Sequence, residues 1–340
     1  MVDPGSALVV ALVLLFAAGA VFWPERGFAA YWRRLRHNAK RILIEDALKH
    51  LYDCEYKKLV CTHQSLSGAL GISGDDAAQV LVKLESLGLL QHRGDRFLLT
   101  GEGRTYALRI IRVHRLWERY LADETGMRET EWHSEAERAE HRLTLAEADE
   151  LSAQMGHPRY DPHGDPIPTA AGELPTQRGY SLLSLPVGEI ARIVHIEDEP
   201  ATVYAQLAAQ GLHPGVSVRM TEVSADRIRF EADGVENVLA PVVAGNVTVV
   251  PLPAETPIPG PHESLADLGP GEAARVVGIS RACRGQQRRR LMDLGVVPGT
   301  CITAEMRSAS GDPTAYLIRG ATIAVRRQQA RLIHINRERR

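Results

Sequence analysis

Two stretches of the chain, about eighty residues apart, repeat one pattern. "LLSLPVGEIARIVHI" matches "LADLGPGEAARVVGI", and "LAAQGLHPGVSVRM" matches "LMDLGVVPGTCITA". Two copies are too few for a solenoid but enough for two tandem domains of one fold. Within each copy apolar and polar residues alternate over short runs punctuated by glycine, which predicts a small five-stranded β-barrel. The Pro-rich segment "PLPAETPIPGPHE" separates the copies as a linker. The C-terminal half is therefore all β in pattern, and the rest of the chain must be read separately.

Upstream, the segment "GHPRYDPHGDPIPTAAGELPTQRG" forbids a continuing helix and reads as a linker. Before it a helical pattern runs from Thr105 to about Met155. Earlier still, "RILIEDALKHLYDCEY", "THQSLSGALGI" and "DDAAQVLVKLESLGLL" read as three helices, and "LLQHRGDRFLLT" as two short strands around a turn. Three helices and a hairpin in some sixty residues is the order of a winged helix-turn-helix, or of a small helical domain with no DNA role. The whole is multidomain α+β. The expected divisions are a transmembrane anchor over 1–25, a basic segment over 26–40, a winged helix over 41–105 and a helical domain over 106–156. A linker (157–179), a first barrel (180–252), a second linker (253–262) and a second barrel (263–337) follow.

The anchor is read from "ALVVALVLLFAAGAVFW", Ala7 to Trp23, a run without charge at the short end of the ~17–25 residues that span a bilayer. Trp23, Tyr31 and Trp32 suit an interfacial belt, and Arg26, Arg33, Arg34, Arg36, Lys40 and Arg41 follow it. The positive-inside rule then predicts a single-pass protein of the cell membrane with its domains in the cytoplasm. The 340 residues carry a net charge of -2, so there is no bulk nucleic-acid signal and any DNA surface must be a local patch. The four cysteines have no C-x-x-C spacing, which fits unpaired thiols in a reducing compartment. No HExxH motif or nucleophile constellation points to an enzyme.

Chemistry concentrates in "WHSEAERAEHRLT". On a helix His133, Glu137, Glu140 and His141 share one face, while Arg138 and Arg142 point elsewhere. Imidazole nitrogen and carboxylate oxygen from one face are suited to Fe(II), Mn(II) or Zn(II). A solvated, salt-bridged helix face is the alternative.

"VHRLWERYLADETGM", "WHSEAERAEHRLT" and "HPRYDPHGDPIP", in that order, strongly resemble the iron-dependent repressor family, the group of the diphtheria toxin repressor and the manganese transport regulator. The resemblance covers roughly Ile42 to Pro168. It implies a homodimeric metal-binding and dimerisation domain behind the winged helix, with two neighbouring metal sites. One is implied to use His114, Glu118 and His133, and the other Glu137, Glu140 and His141 with Asp46 from the first helix. Asp46 would tie the first helix to the dimer domain and so couple metal to DNA-competent spacing. Asp46 and Glu137 stand where the iron-type member has sulfur ligands, so the set resembles the manganese-type member and implies Mn(II) or Fe(II). Lys49 stands where that member carries a further glutamate, a departure that weakens the case for a binuclear manganese site.

"RRRLMDLGVVPGT" and "IRGATIAVRRQQARLIHI" resemble the FeoA domain, a small SH3-like barrel associated with ferrous iron uptake, and the first repeat is a diverged version. "HIEDEP" offers Glu197, Asp198 or Glu199 to a metal site, or simply a solvated acidic turn. Ser73 and Gln79 match family positions that face the major groove, with Lys83, Arg93, Arg96 and Arg104 as basic support. Asp75 and Asp76 cap the same helix but would repel phosphate. The expected function is a membrane-anchored, metal-dependent repressor of metal-uptake genes acting on double-stranded DNA. The alternative is a membrane-bound metal sensor that contacts a ferrous iron transporter without binding DNA.

Overall fold

The computed structural model describes residues 28–337 apart from 94, 95, 177, 178, 233, 255, 257–262 and 281, with side chains described from residue 39 and without that of Arg93. The chain forms two compact units, Met1–Ile111 and Arg112–Arg340.

In the first unit α1 spans Phe28–Tyr56, twelve or so residues longer at its N-terminal end than the apolar spacing indicates. No proline or glycine interrupts Phe28–Tyr56, so the basic stretch simply continues the helix. α2 (His63–Leu70) opens on a capping box between Thr62 and Ser65 and closes on Gly71 at φ +61°, a left-handed stop that glycine adopts without strain. α3 (Gly74–Ser86) is capped by Ser73. β1 (Leu90–Arg93) and β2 (Arg96–Leu99) pair antiparallel, Leu90 opposite Leu99. Ala47, Leu48, Leu51, Leu66, Ala77, Leu81, Leu84 and Leu99 close one core beneath the three helices and the hairpin. This is the order expected of a winged helix.

The membrane reading is corrected here. Among the described residues no helix is long and apolar enough to cross a membrane. α1 has the length but carries Arg33, Arg34, Arg36, Lys40, Arg41, Glu45, Asp46 and Lys49, whose desolvation in hydrocarbon is prohibitive. The run Ala7–Trp23 lies outside the described residues. The expected single-pass placement in the cell membrane is not borne out by any described helix.

α4 (Gly101–Glu124) leads into the second unit, followed by α5 (Glu129–Glu140) and α6 (Leu145–Gln154), the last opened by a Thr144–Glu147 capping box. Val113 and Leu116 of α4 form a core with Ala148 and Leu151 of α6 and with Ile167, while Leu121 and Ala122 of α4 pack against Trp132 of α5. Each repeat then folds identically. The first runs β3 (Tyr180–Ser181), a 3₁₀ turn, β4 (Ile190–Ile196), α7 (Ala201–Ala209), β5 (Ser217–Val223), β6 (Ile228–Ala232), β7 (Val235–Leu239), α8 (Pro241–Ala244) and β8 (Val247–Pro251). The second runs β9 (Glu263–Ser264), a 3₁₀ turn, β10 (Ala273–Ile279), α9 (Gly285–Asp293), β11 (Cys301–Arg307), β12 (Thr314–Ile318), β13 (Ala321–Val325), α10 (Arg327–Ala330) and β14 (Ile333–Asn336).

The sheet orders are β3-β8-β4-β5-β6-β7 and β9-β14-β10-β11-β12-β13, antiparallel throughout. Even the bulges correspond: Ile193/His195 with Val276/Gly278, and Met220/Glu222 with Ala304/Met306. Five strands were expected and six are present, because β3 and β9 are two-residue pairings too short to leave an alternating signature.

The proline-rich segment after α6 is not a free linker. Asp161 through Gly164 and Pro166 through Pro168 are buried, and Ile196 N donates to His163 O at 2.9 Å. Gly164 stands at φ +99° with its hydrogen against β4, where a Cβ would lie 2.0 Å from Val194 O. Gly164→Ala should therefore cost about 3 kcal/mol or more. Denaturant unfolding checks this, and an unchanged midpoint would contradict it. The same device appears at Gly285, the first residue of α9, where a Cβ would lie 2.6 Å from Thr125 O at the end of α4. Arg289 Nη1 seals that contact on Glu124 Oε2 at 2.8 Å.

Candidate metal centre and reading helix

α4 presents His114 and Glu118 one turn apart, and α5 presents His133 toward them. Glu118 is 1% exposed. Its Oε1 is 3.1 Å from His114 Nε2 and 3.3 Å from His133 Nδ1. The three residues expected in one site are thus brought together. The loop between β4 and α7 completes the group: Asp198 Oδ2 is 2.8 Å from His133 Nδ1, and Glu199 Oε1 is 3.5 Å from His133 Nε2. Asp198 is therefore folded into the site, while Glu199 stays exposed at its edge.

His163, which the sequence reading passed over, lies at the bottom. It is 1% exposed, and neither ring nitrogen has a hydrogen-bond partner. Nε2 is 3.9 Å from Glu118 Oε1, too far for a hydrogen bond. Glu118, His163 and Asp198 each bring one donor atom within 4.8 Å of the others, as do His114, Glu118 and His133. Tyr204 packs edge-on at 4.8 Å from the His163 ring, and Asp161 Oδ1 shapes the loop by accepting from the backbone N–H of His163, Gly164 and Asp165, each at 2.9 Å. A signal existed in "DPHGDP", since a histidine between two carboxylates inside a proline-rich turn is poorly suited to a plain linker. Its composition hid it.

The carboxylates and imidazoles of the group perturb one another strongly. Burial pushes the Glu118 carboxyl up, but His114, His133 and His163 together hold it well below the usual range. Burial also disfavours a charged His133, yet Asp198, Glu118, Glu137 and Glu199 outweigh it and hold the imidazolium protonated. Burial raises the Asp198 carboxyl, but its hydrogen bond to His133 and the charges of His163 and His133 together bring it below its ordinary value.

Of the second expected group, Glu140 is buried with Oε1 3.4 Å from His141 Nε2, and its Oε2 is 2.6 Å from His114 Nδ1. Glu137, expected there, stands 3.5 Å from His133 Nε2 in the first group. Asp46 lies on α1 in the other compact unit.

These residues fit a borderline-hard divalent cation. The donor set is imidazole and carboxylate without sulfur, and an orphaned buried histidine marks its floor.

On α3 the exposed face carries Asp75, Gln79, Val82 and Lys83. Ser73 is committed to the cap: its Oγ accepts from Asp76 N at 3.1 Å and donates to Asp76 Oδ2 at 2.6 Å. Asp76 is thereby folded back onto the helix end, and Asp75 remains exposed. Val82, 65% exposed, is a surface apolar residue that the sequence reading missed. Arg96 is exposed, and Arg104 pairs with Glu55.

Residues 100–169 match the family model described as iron dependent repressor, metal binding and dimerisation domain, and residues 180–251 and 263–337 each match the FeoA domain. The iron-dependent repressor IdeR of Mycobacterium leprae is 30% identical over 208 residues, 57% of this chain and 90% of that protein. The diphtheria toxin repressor of Corynebacterium glutamicum is 32% identical over 160 residues, 44% of this chain and 70% of that protein. Among solved structures, a manganese-dependent transcriptional repressor in complex with manganese is 30% identical at a TM-score of 0.58, covering 62% of this chain and all of that one. With relatives matched nearly end to end at this identity, the chain belongs to the iron-dependent repressor family.

Proposed function

We propose that this chain is a dimeric transcriptional repressor whose binding to double-stranded DNA is set by Mn(II) or Fe(II). The observation that carries the reading is the buried, unpartnered His163 facing Glu118 and Asp198, with His114 and His133 completing the group. A bound cation would take over the positive charge that the protonated imidazoles now set against Glu118 and Asp198. Its ligands would be His114, Glu118, His133, His163 and Asp198.

Glu140, His141 and Asp46 are assigned to a second centre, following the family's pattern. Asp46 would link α1, and with it the reading head, to the metal-binding helices. Without that link the carboxylates repel, and the reading heads sample spacings that do not fit adjacent major grooves. On α3, Gln79 would read a base, Val82 would meet a thymine methyl and Lys83 would neutralise a phosphate, with Arg96 on the hairpin adding a phosphate contact. Ser73, whose Oγ is committed to the helix cap, would make no groove contact. The target genes are proposed to be those of metal-ion uptake.

The contact-only sensor is disfavoured. Its premise was the membrane anchor and a disabled reading helix, and Asp76 is turned back onto its own cap.

A mobility-shift assay on genomic fragments, with and without Mn(II) or Fe(II), tests the reading. A salt-sensitive complex should form only with metal. Gln79→Ala should weaken a cognate site by about 1–3 kcal/mol and relax discrimination at one base pair. Metal-loaded protein that ignores every fragment from low to moderate salt would overturn the proposal.

A further inference from the structure

Away from the carboxylate centre, three soft or borderline donors converge inside the first compact unit. His50 and Cys54 stand one turn apart on α1, and Cys61 enters from the turn that leads into α2. Cys54 is 6% and Cys61 5% exposed, and all four cysteines of the chain are free thiols. One donor atom from each of His50, Cys54 and Cys61 lies within 4.8 Å of the others.

The His50–Cys54 spacing matches an edge of a coordination tetrahedron. Zn–S near 2.3 Å and Zn–N near 2.0–2.1 Å at tetrahedral angles give a sulfur–nitrogen edge of about 3.6 Å. His50 Nε2 is 3.6 Å from Cys54 Sγ. Ser65 Oγ occupies the remaining corner, 3.3 Å from His50 Nε2 and 3.5 Å from Cys61 Sγ, where an oxygen ligand of Ser65 or solvent would stand. Burial lowers the His50 imidazole, so its nitrogen is a free base near neutrality. Burial also pushes the Cys54 thiol up to about 12, helped by Cys61, which makes it a poor nucleophile toward oxidants. A redox pair would require the opposite. A cation removes the obstacle by supplying the charge that burial denies the thiolates.

We propose that His50, Cys54 and Cys61 form a separate, sulfur-bearing site for a thiophilic divalent cation of the Zn(II) and Cd(II) class. On binding, two sulfur–metal bonds form and the two thiol protons pass to solvent, with no oxidant involved. The ion bridges the last turn of α1 to the entry of α2, two of the three helices whose core supports α3. Thiophilic metal would thus stiffen the reading head independently of the oxygen-rich centre.

Co(II) discriminates the two centres, because only this one offers sulfur. In the full chain carrying Cys301→Ser, which removes the exposed thiol, Co(II) should give a thiolate-to-metal charge-transfer band. Zn(II) should displace it, with about two protons released per ion. Cys54→Ser and Cys61→Ser should each abolish the band, while Glu118→Gln should leave it intact. His50→Gln removes no core sulfur, so it keeps the test sharp if a cysteine variant fails to fold. It should weaken Zn(II) binding at least tenfold. No sulfur band at saturating Co(II), a band that survives Cys54→Ser undiminished, or one that vanishes in Glu118→Gln would overturn the proposal.

Discussion

Replacing His163 with Phe should stabilise the metal-free protein while crippling its response to metal. In the fold the imidazole is buried against Tyr204 and near Trp132, with both ring nitrogens unsatisfied. Leaving such a group unpaired costs about 1–3 kcal/mol, and an apolar ring of similar shape removes that cost. A gain of about 1–2 kcal/mol corresponds to a melting temperature higher by about 3–6 °C for a unit of this size. The same change deletes a ligand, so Mn(II) affinity should fall about 100-fold and the metal-induced rise in melting temperature should largely disappear. A packing histidine with no metal role predicts the reverse pattern: lower stability at unchanged affinity.

The pH dependence has a definite sign. In the metal-free fold the carboxylates around His133 raise its imidazole against the effect of burial. That pairing stabilises fully below the unfolded imidazole value, near 6.5, and is lost only as pH climbs through the raised folded value. It therefore persists across neutrality, and a cation that uses His133 must displace its proton. Mn(II) affinity should fall as pH falls.

Asp46→Ala should separate sensing from response. The first centre uses no residue of α1, so Mn(II) binding there should change by less than about threefold. DNA affinity at saturating metal should drop about 100-fold, or about 2.7 kcal/mol, because the proposed link between α1 and the metal-binding helices is gone. Anisotropy titrations with labelled operator check both limbs. Full DNA affinity in the variant would remove Asp46 from the account.

Much of this architecture was legible in the chain because its signals are local. The repeat survives as matching strands, bulges and helices, since alternation and turn glycines act residue by residue. His114, Glu118 and His133 were visible through i, i+4 spacing and family motifs. What stayed hidden depends on tertiary approach. Asp198 becomes a site residue only because β4 carries its loop onto α5, and His163 only because Gly164 lets the chain lie flat on β4. The N-terminal half of α1 was misjudged because charge was read as topology, when uninterrupted helix-forming residues also continue a helix.

In the proposed mechanism, metal and DNA binding are one coupled equilibrium through the Glu118 centre. Reciprocity makes it directly measurable: whatever factor Mn(II) adds to DNA affinity, DNA must add to Mn(II) affinity. Mn(II) binding should be titrated calorimetrically in the absence and presence of saturating operator DNA. DNA should tighten Mn(II) binding by the factor seen in the converse titration, at least tenfold, and the gain should vanish in Glu118→Gln. Mn(II) affinity indifferent to DNA in the unaltered protein would contradict it.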